Sequence, residues 1–157
     1  MKKTFYIFFL LFLSSCGFSP MLKDVDLNDI KINNIDFTGS SGLTYYLKSN
    51  LNIPIQKTLE NSYNLKLNIS ESSSSVTKNT AGITTEEEVT VTINFQIFDQ
   101  KNNLIGSESL SDSRVISVTN NVSTDDEVKR IEKENIITNL IQQLTFAIRA
   151  QIISSQQ

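Results

Sequence analysis

The chain has 157 residues, with 14 Lys and Arg against 17 Asp and Glu, no histidine and a single cysteine. That length favours one domain, and the acidic balance argues against a nucleic-acid partner. One thiol with no histidine excludes an internal disulfide, a Cys-His nucleophile and a Cys-His zinc site.

The N-terminus opens Met1-Lys2-Lys3 and continues as an unbroken apolar run from Phe5 to Leu13. Such a run rises only about 14 Å as a helix, whereas a bilayer core needs about 20 residues. A basic start, a short greasy middle and a small-residue end instead read as a secretory signal peptide over residues 1–15. Its close, Leu13-Ser14-Ser15-Cys16, resembles a bacterial lipobox, cleaved just before the cysteine. A thiolate is the strong nucleophile that such chemistry needs. Cys16 is thereby expected to carry a diacylglyceryl group and, on its freed α-amine, a further acyl chain such as palmitate. One chain anchors weakly; two or three anchor stably, at about 0.8 kcal/mol per buried CH₂. Beyond this covalent lipid the residues imply no cofactor. Gly17 in place of Asp after the cysteine points to release to the outer membrane.

Residues 16–30 contain Pro20 and no sustained period, as expected of a lipidated N-terminus and tether. The remainder, 31–157, reads as one α+β domain. Ile32, Ile35 and Phe37 alternate imperfectly and predict a strand over 31–37. Leu43, Tyr46, Leu47 and Leu51 recur at helical spacing, with Pro54 ending the helix near Asn52 or Ile53 and a further turn possible around 56–61. Tyr63, Leu65, Leu67 and Ile69 alternate with polar residues and predict a half-buried strand. Glu71 and the run Ser72 to Ser75 open a polar tract to Gly82 that reads as a flexible hairpin connection. Val89, Val91, Ile93, Phe95 and Ile97 define the clearest strand, and Asp99 to Asn103 its turn. A fourth strand runs from Leu104 to Val118, broken near Gly106, with a bulge or a polar end. Asp112 and Arg114 share one face of it and could pair with each other or touch a ligand.

A long helix closes the chain. Thr124 with Glu127 fits a capping box, and Asp125 and Asp126 suit the positive end of the helix dipole. Val128, Ile131, Ile137, Leu140, Ile141, Leu144, Ile148 and Ile152 form its apolar stripe, interrupted by Asn135. The expected fold is α+β: two helices on one face of a four-stranded, mostly antiparallel sheet, in the order β-α-β-β-β-α. No glycine-rich phosphate loop, nucleophile-base pair or strong metal cluster is present. Glu86-Glu87-Glu88 is most simply solubilising or edge-protecting. Enzyme function is therefore not expected.

Four features resemble the lipopolysaccharide-assembly lipoproteins of the LptE family in their alphaproteobacterial form. "LSSCGFSPM" (13–21) is similar to the family's Cys-Gly-Phe-x-Pro-Leu-Tyr opening, with Met21 and Leu22 replacing Leu and Tyr. "LKSNL" (47–51) is similar to Leu-Arg-Asn-x-Leu of the first helix. Residues 113–152 resemble the strand, short loop and long C-terminal helix, though Ile, Asn and Gln stand where relatives carry Ala and Arg. The order of elements is the fourth. The resemblance implies an outer-membrane lipoprotein on the periplasmic face, partnered by the β-barrel protein LptD and by lipopolysaccharide. It would plug and help assemble the barrel and assist insertion of lipopolysaccharide into the outer leaflet. Arg114, Lys129 and Arg130 flank one strand-helix junction and are the candidate cations for its phosphates; solvated charges with no ligand are the alternative. A generic envelope lipoprotein outside lipopolysaccharide transport is the competing function.

Overall fold

The computed structural model describes residues 30–57 and 61–156. The expected signal peptide, Cys16 and nearly all of the tether lie outside the described residues. Ile30, the last residue assigned to the tether, is buried in the core.

Six elements follow in the anticipated order: β1 (Lys31–Gly39), α1 (Ser41–Asn50), β2 (Ser62–Lys78), β3 (Thr84–Phe98), β4 (Leu104–Ser117) and α2 (Val122–Ser155). The strands form one sheet in the order β1-β2-β3-β4. β1 and β2 are parallel, joined through α1, whereas β2-β3 and β3-β4 are antiparallel hairpins. The sheet is thus mixed, with both helices on its apolar face.

Period-two alternation builds that face. Leu65, Leu67 and Ile69 on β2 stand beside Val91, Ile93, Phe95 and Ile97 on β3, all at most 1% exposed. Ile136, Ile137, Leu140, Leu144, Ile148 and Ile152 of α2 close over them with Leu43 and Leu47 of α1. The irregular spacing of Ile32, Ile35 and Phe37 has a cause. A bulge between Ile32 and Asn34 inserts one residue into β1, which switches the parity and returns Ile35 and Phe37 to the core face. A second bulge lies between Ile97 and Phe98, which pair with Gly106 and Leu104. This is the break expected in β4.

Three expectations are corrected. The tract 71–82 is not a flexible connection: β2 continues through the serine run to Lys78, paired along Thr84 to Val91. Polar side chains on both faces hid it, because period two is invisible where neither face is buried. The actual turn spans 79–83, where the Asn79 side chain accepts from the N–H groups of Ala81 and Ile83 at 2.9 and 3.0 Å and Gly82 takes φ 78°. The α2 cap is also not the Thr124–Glu127 box. Asn121 is the N-cap, its side chain accepting from Thr124 N–H at 3.3 Å. The α2 stripe is displaced as well. Ile131 is exposed, while Ile136, beside the interrupting Asn135, is fully buried.

The end of the first helix also differs from expectation. α1 stops at Asn50, with Leu51 N–H still donating to Leu47 O at 2.9 Å. Beyond Pro54, Ile55 bridges Ile32 on the outer edge of β1. The further turn around 56–61 falls largely on residues outside those described.

Candidate functional site

Two polar surfaces could carry function, one on each side of the sheet. The first is the junction of β4 with the start of α2. On β2 and β3 the apolar rows end in Glu71 and Glu87, which continue the same face. On β4 the row carries Asp112 and Arg114, opposite Val91 and Val89. The first turns of α2 therefore meet carboxylates and a guanidinium instead of a core.

Each cation there has an acid. Lys129 Nζ lies 2.7 Å from Glu87 Oε2, Lys133 Nζ lies 2.6 Å from Glu71 Oε2, and Arg114 Nε lies 3.7 Å from Glu132 Oε2. Arg130 forks to Glu127 at 2.8 Å and also reaches Glu134, along its own helix. The Glu87 hydrogen bond raises the Lys129 pKa above its usual value; burial opposes it, and the charge of the same carboxylate adds a lesser push upward. Arg130 is raised by Glu127 and Glu134, and Glu127 is lowered by Arg130.

The three candidate cations are thus brought to one end of the molecule but not into one cluster. Arg114 and Lys129 point between sheet and helix, and Arg130 points along the helix surface. Arg114 pairs with Glu132 and not with Asp112. It lines a cavity of about 520 Å³ with Ile116, Val128 and Glu132.

Sequence reasoning missed Lys133, and it placed Asp125 at the helix start without its bond to Thr119. Lys133 sits at helical spacing from Lys129, a signal that was present. Asp125 is buried at 8% exposure. It accepts from the N–H and hydroxyl of Thr119 at 2.8 and 2.9 Å, which holds its carboxyl below the ordinary range, the backbone bond contributing most. It thereby locks the β4-α2 connection in place. Among the described residues no three metal-ligating side chains converge.

The second surface is the face without helices. Asn68, Ser70, Thr90, Thr92, Asn94 and Gln96 project there, with the serines of β4 at alternate positions. They bond to one another across the strands. Asn68 Nδ2 donates to Thr38 Oγ1 at 3.0 Å, Thr92 and Ser111 hydroxyls share a bond at 3.0 Å, and Ser113 Oγ donates to Glu88 Oε1 at 3.0 Å. Lys66 stands 4.8 Å from the Phe98 ring centroid, a cation-π distance. The twist of the sheet makes an open concavity of about 890 Å³ over Asp36, Lys66, Asn94 and Ser109. Hydroxyls and amides, not charges, dominate it.

A family model, "LptE: Lipopolysaccharide-assembly", matches residues 25–152. The chain belongs to the LptE family. That match covers all four strands, α1 and all but the last three residues of α2. The family is non-catalytic and works in lipopolysaccharide assembly, so the LptE chain is not an enzyme, and its single cysteine is consistent with the lipid-anchoring position typical of these lipoproteins. No curated protein matches the chain in sequence.

Solved structures share the LptE fold at low identity. Rare lipoprotein B from Shewanella oneidensis is 14% identical with a TM-score of 0.60, over 80% of this chain and 100% of that one. A minor lipoprotein from Acinetobacter baumannii is 20% identical with a TM-score of 0.53, over 75% and 93%. Lipoprotein B from Nitrosomonas europaea is 11% identical with a TM-score of 0.53, over 73% and 81%. No described helix is long and apolar enough to cross a membrane.

Proposed function

We propose that this LptE chain, of the alphaproteobacterial type, is anchored through acylated Cys16 to the periplasmic face of the outer membrane. Cleavage before Cys16 leaves residues 16–30 as tether and 31–157 as the folded body. There the body plugs the lumen of an LptD-like β-barrel, supports assembly of that barrel and assists insertion of lipopolysaccharide into the outer leaflet. The observation that carries the reading is the helix-free face. A barrel lumen is polar, and a surface of hydroxyls and amides can exchange water for lumen partners with little desolvation cost. A strongly charged face would lose more on burial.

Contact with the lipid's phosphates is assigned to Arg114, Lys129 and Arg130. Arg114 is the foremost of these, because its 3.7 Å contact with Glu132 is the loosest of the pairs and a bidentate phosphate contact is stronger. Lys129 and Arg130 would have to exchange a close carboxylate for phosphate.

The deciding experiment is a pull-down of the mature protein from detergent-solubilised outer membrane. Copurification of a large barrel protein is expected, and its absence refutes the plug. Separately, Arg114→Ala with Lys129→Ala is expected to weaken lipopolysaccharide binding severalfold; unchanged affinity removes both residues from the contact.

A further inference from the structure

The hollow on the helix-free face gathers polar side chains that the fold does not use. Farther along that face, polar groups are bonded across the strands: Thr92 with Ser111 at 3.0 Å, Ser113 with Glu88 at 3.0 Å and Thr77 with Glu86 at 2.6 Å. In the hollow the register sets two rows side by side. Asp36, Lys66, Gln96 and Ser107 make one row, and Thr38, Asn68, Asn94 and Ser109 the other. Asn68 donates to Thr38, and Asp36 accepts from Asn34 Nδ2 at 2.8 Å. Asn94, Gln96, Ser107 and Ser109 line the hollow, are exposed, and bond to no other side chain among the described residues. Strands stand about 4.8 Å apart and alternate residues about 7 Å apart, so the two rows cover a patch of about 14 by 7 Å.

The chemistry of the patch excludes most occupants. Asp36 and Lys66 stand opposite each other in the register, so the rows carry one charge of each sign and no surplus cation for a phosphate. Glu108 adds only its backbone side to the hollow, because its carboxylate accepts from Gln151 Nε2 of α2 at 3.3 Å. An acyl chain would bury the amides without partners. An extended peptide gains affinity from backbone groups at a sheet edge, and here the backbone is already spent in the ladder.

A neutral chain of hydroxyls fits. Each amide sets a donor beside an acceptor, and each serine or threonine hydroxyl is both, which matches the vicinal hydroxyls of a sugar ring. Lys66, held over the Phe98 ring, offers its methylene stem to the C–H face of such a ring. A barrel wall also curves around whatever it encloses, so a hollow on the body does not meet it. The plug reading therefore leaves this patch without a partner.

We propose that the hollow binds a short neutral stretch of the saccharide of lipopolysaccharide, lying across the strands on Asn94, Gln96, Ser107 and Ser109. The inference rests on the reading that lipopolysaccharide is handled by this chain. It adds a contact on the opposite side of the sheet from Arg114, Lys129 and Arg130, so saccharide and phosphate contacts are separable by mutation.

The test uses the full-length, lipidated chain in micelles of a detergent without a sugar head group. The probe is the oligosaccharide freed from the host's lipopolysaccharide by mild acid and stripped of phosphate, titrated by calorimetry. Saturable binding is expected, weakened at least about fivefold by Asn94→Ala with Gln96→Ala. Gln142→Ala, on the exposed side of α2, is expected to bind like the parent. No saturable binding, an affinity unchanged by the double variant, or an equal loss in Gln142→Ala overturns the site. Maltohexaose is expected to bind severalfold more weakly, and equal binding overturns the choice of lipopolysaccharide as the source. If the double variant fails to fold, Asn94→Asp, which keeps the shape and removes the donor, decides by the same loss. The probe carries neither phosphate nor acyl chain. Failure here with the barrel still copurifying therefore sinks the hollow alone, and saccharide binding without a copurifying barrel sinks the plug alone.

Discussion

Asp125 and Gly39 hold the two connections between strand and helix, by different physics. Asp125 is a carboxylate whose folded pKa is depressed, chiefly by the Thr119 N–H. The sign follows directly. Its contribution is fully present above the unfolded value of about 3.9 and is lost as pH falls through the lower folded value. The protein is therefore expected to lose thermal stability below about pH 4, and Asp125→Asn should flatten that decline; an equal decline in both proteins refutes the assignment. Gly39 ends β1 at φ 121°, and a Cβ there would run into the Ile69 carbonyl. Gly39→Ala should cost more than about 2 kcal/mol, measurable by urea denaturation. A Cβ at Gly106 meets only the Gln151 side chain, which can swing away, so Gly106→Ala is the mild control. The turn at Gly39 is legible from residue type alone, a glycine between Thr38 and two serines. The cap was not, because Thr119, Asn120, Asn121, Ser123 and Thr124 all suit helix starts. Asn120, at φ 62°, precedes the observed N-cap, and no local pattern singles out that turn.

The elements divide by how much each buries. β3 was readable over Val89 to Ile97 because one face is apolar throughout. The outer halves of β2 and β3 were not, because pairing there is carried by the backbone and by polar contacts such as Thr77 to Glu86 at 2.6 Å. α2 has the same division within one helix. From Ile136 onward it rests on an apolar sheet; before that it is held by Lys129–Glu87, Lys133–Glu71 and Arg114–Glu132. These pairs are partly exposed, so each contributes about 0–1 kcal/mol and is screened by salt. Leu140→Ala should cost about 2–5 kcal/mol, and Lys133→Ala no more than about 1 kcal/mol, with that difference shrinking in 1 M salt. Hydrogen exchange should find amides before Ile136 opening more readily than those after it. Equal protection along the whole helix would show that the ion pairs anchor it as firmly as the core.

For the whole molecule, topology was legible where function was only partly so. A β-α-β-β-β-α order with both helices on one face follows from periodicity, and it leaves the opposite face free and polar. The candidate cations were found by position along the chain, but their partners were not. Glu71 and Glu87 meet α2 only through the pairing register, which no local pattern encodes. The proposed anchor stands apart from this architecture in kind. Within the described residues two helices already cover the apolar face of the sheet, and the lipid proposed on Cys16 would act through transfer of acyl chains into a bilayer. Fold and membrane attachment should then separate cleanly. Cys16→Ser, which removes the only thiol, is expected to unfold at the same temperature as the parent's soluble domain and to shift from the membrane pellet to the soluble fraction. Continued sedimentation with membranes would mean that attachment comes from the folded body itself. A lowered unfolding temperature would mean that the N-terminal segment packs into the domain as well as tethering it.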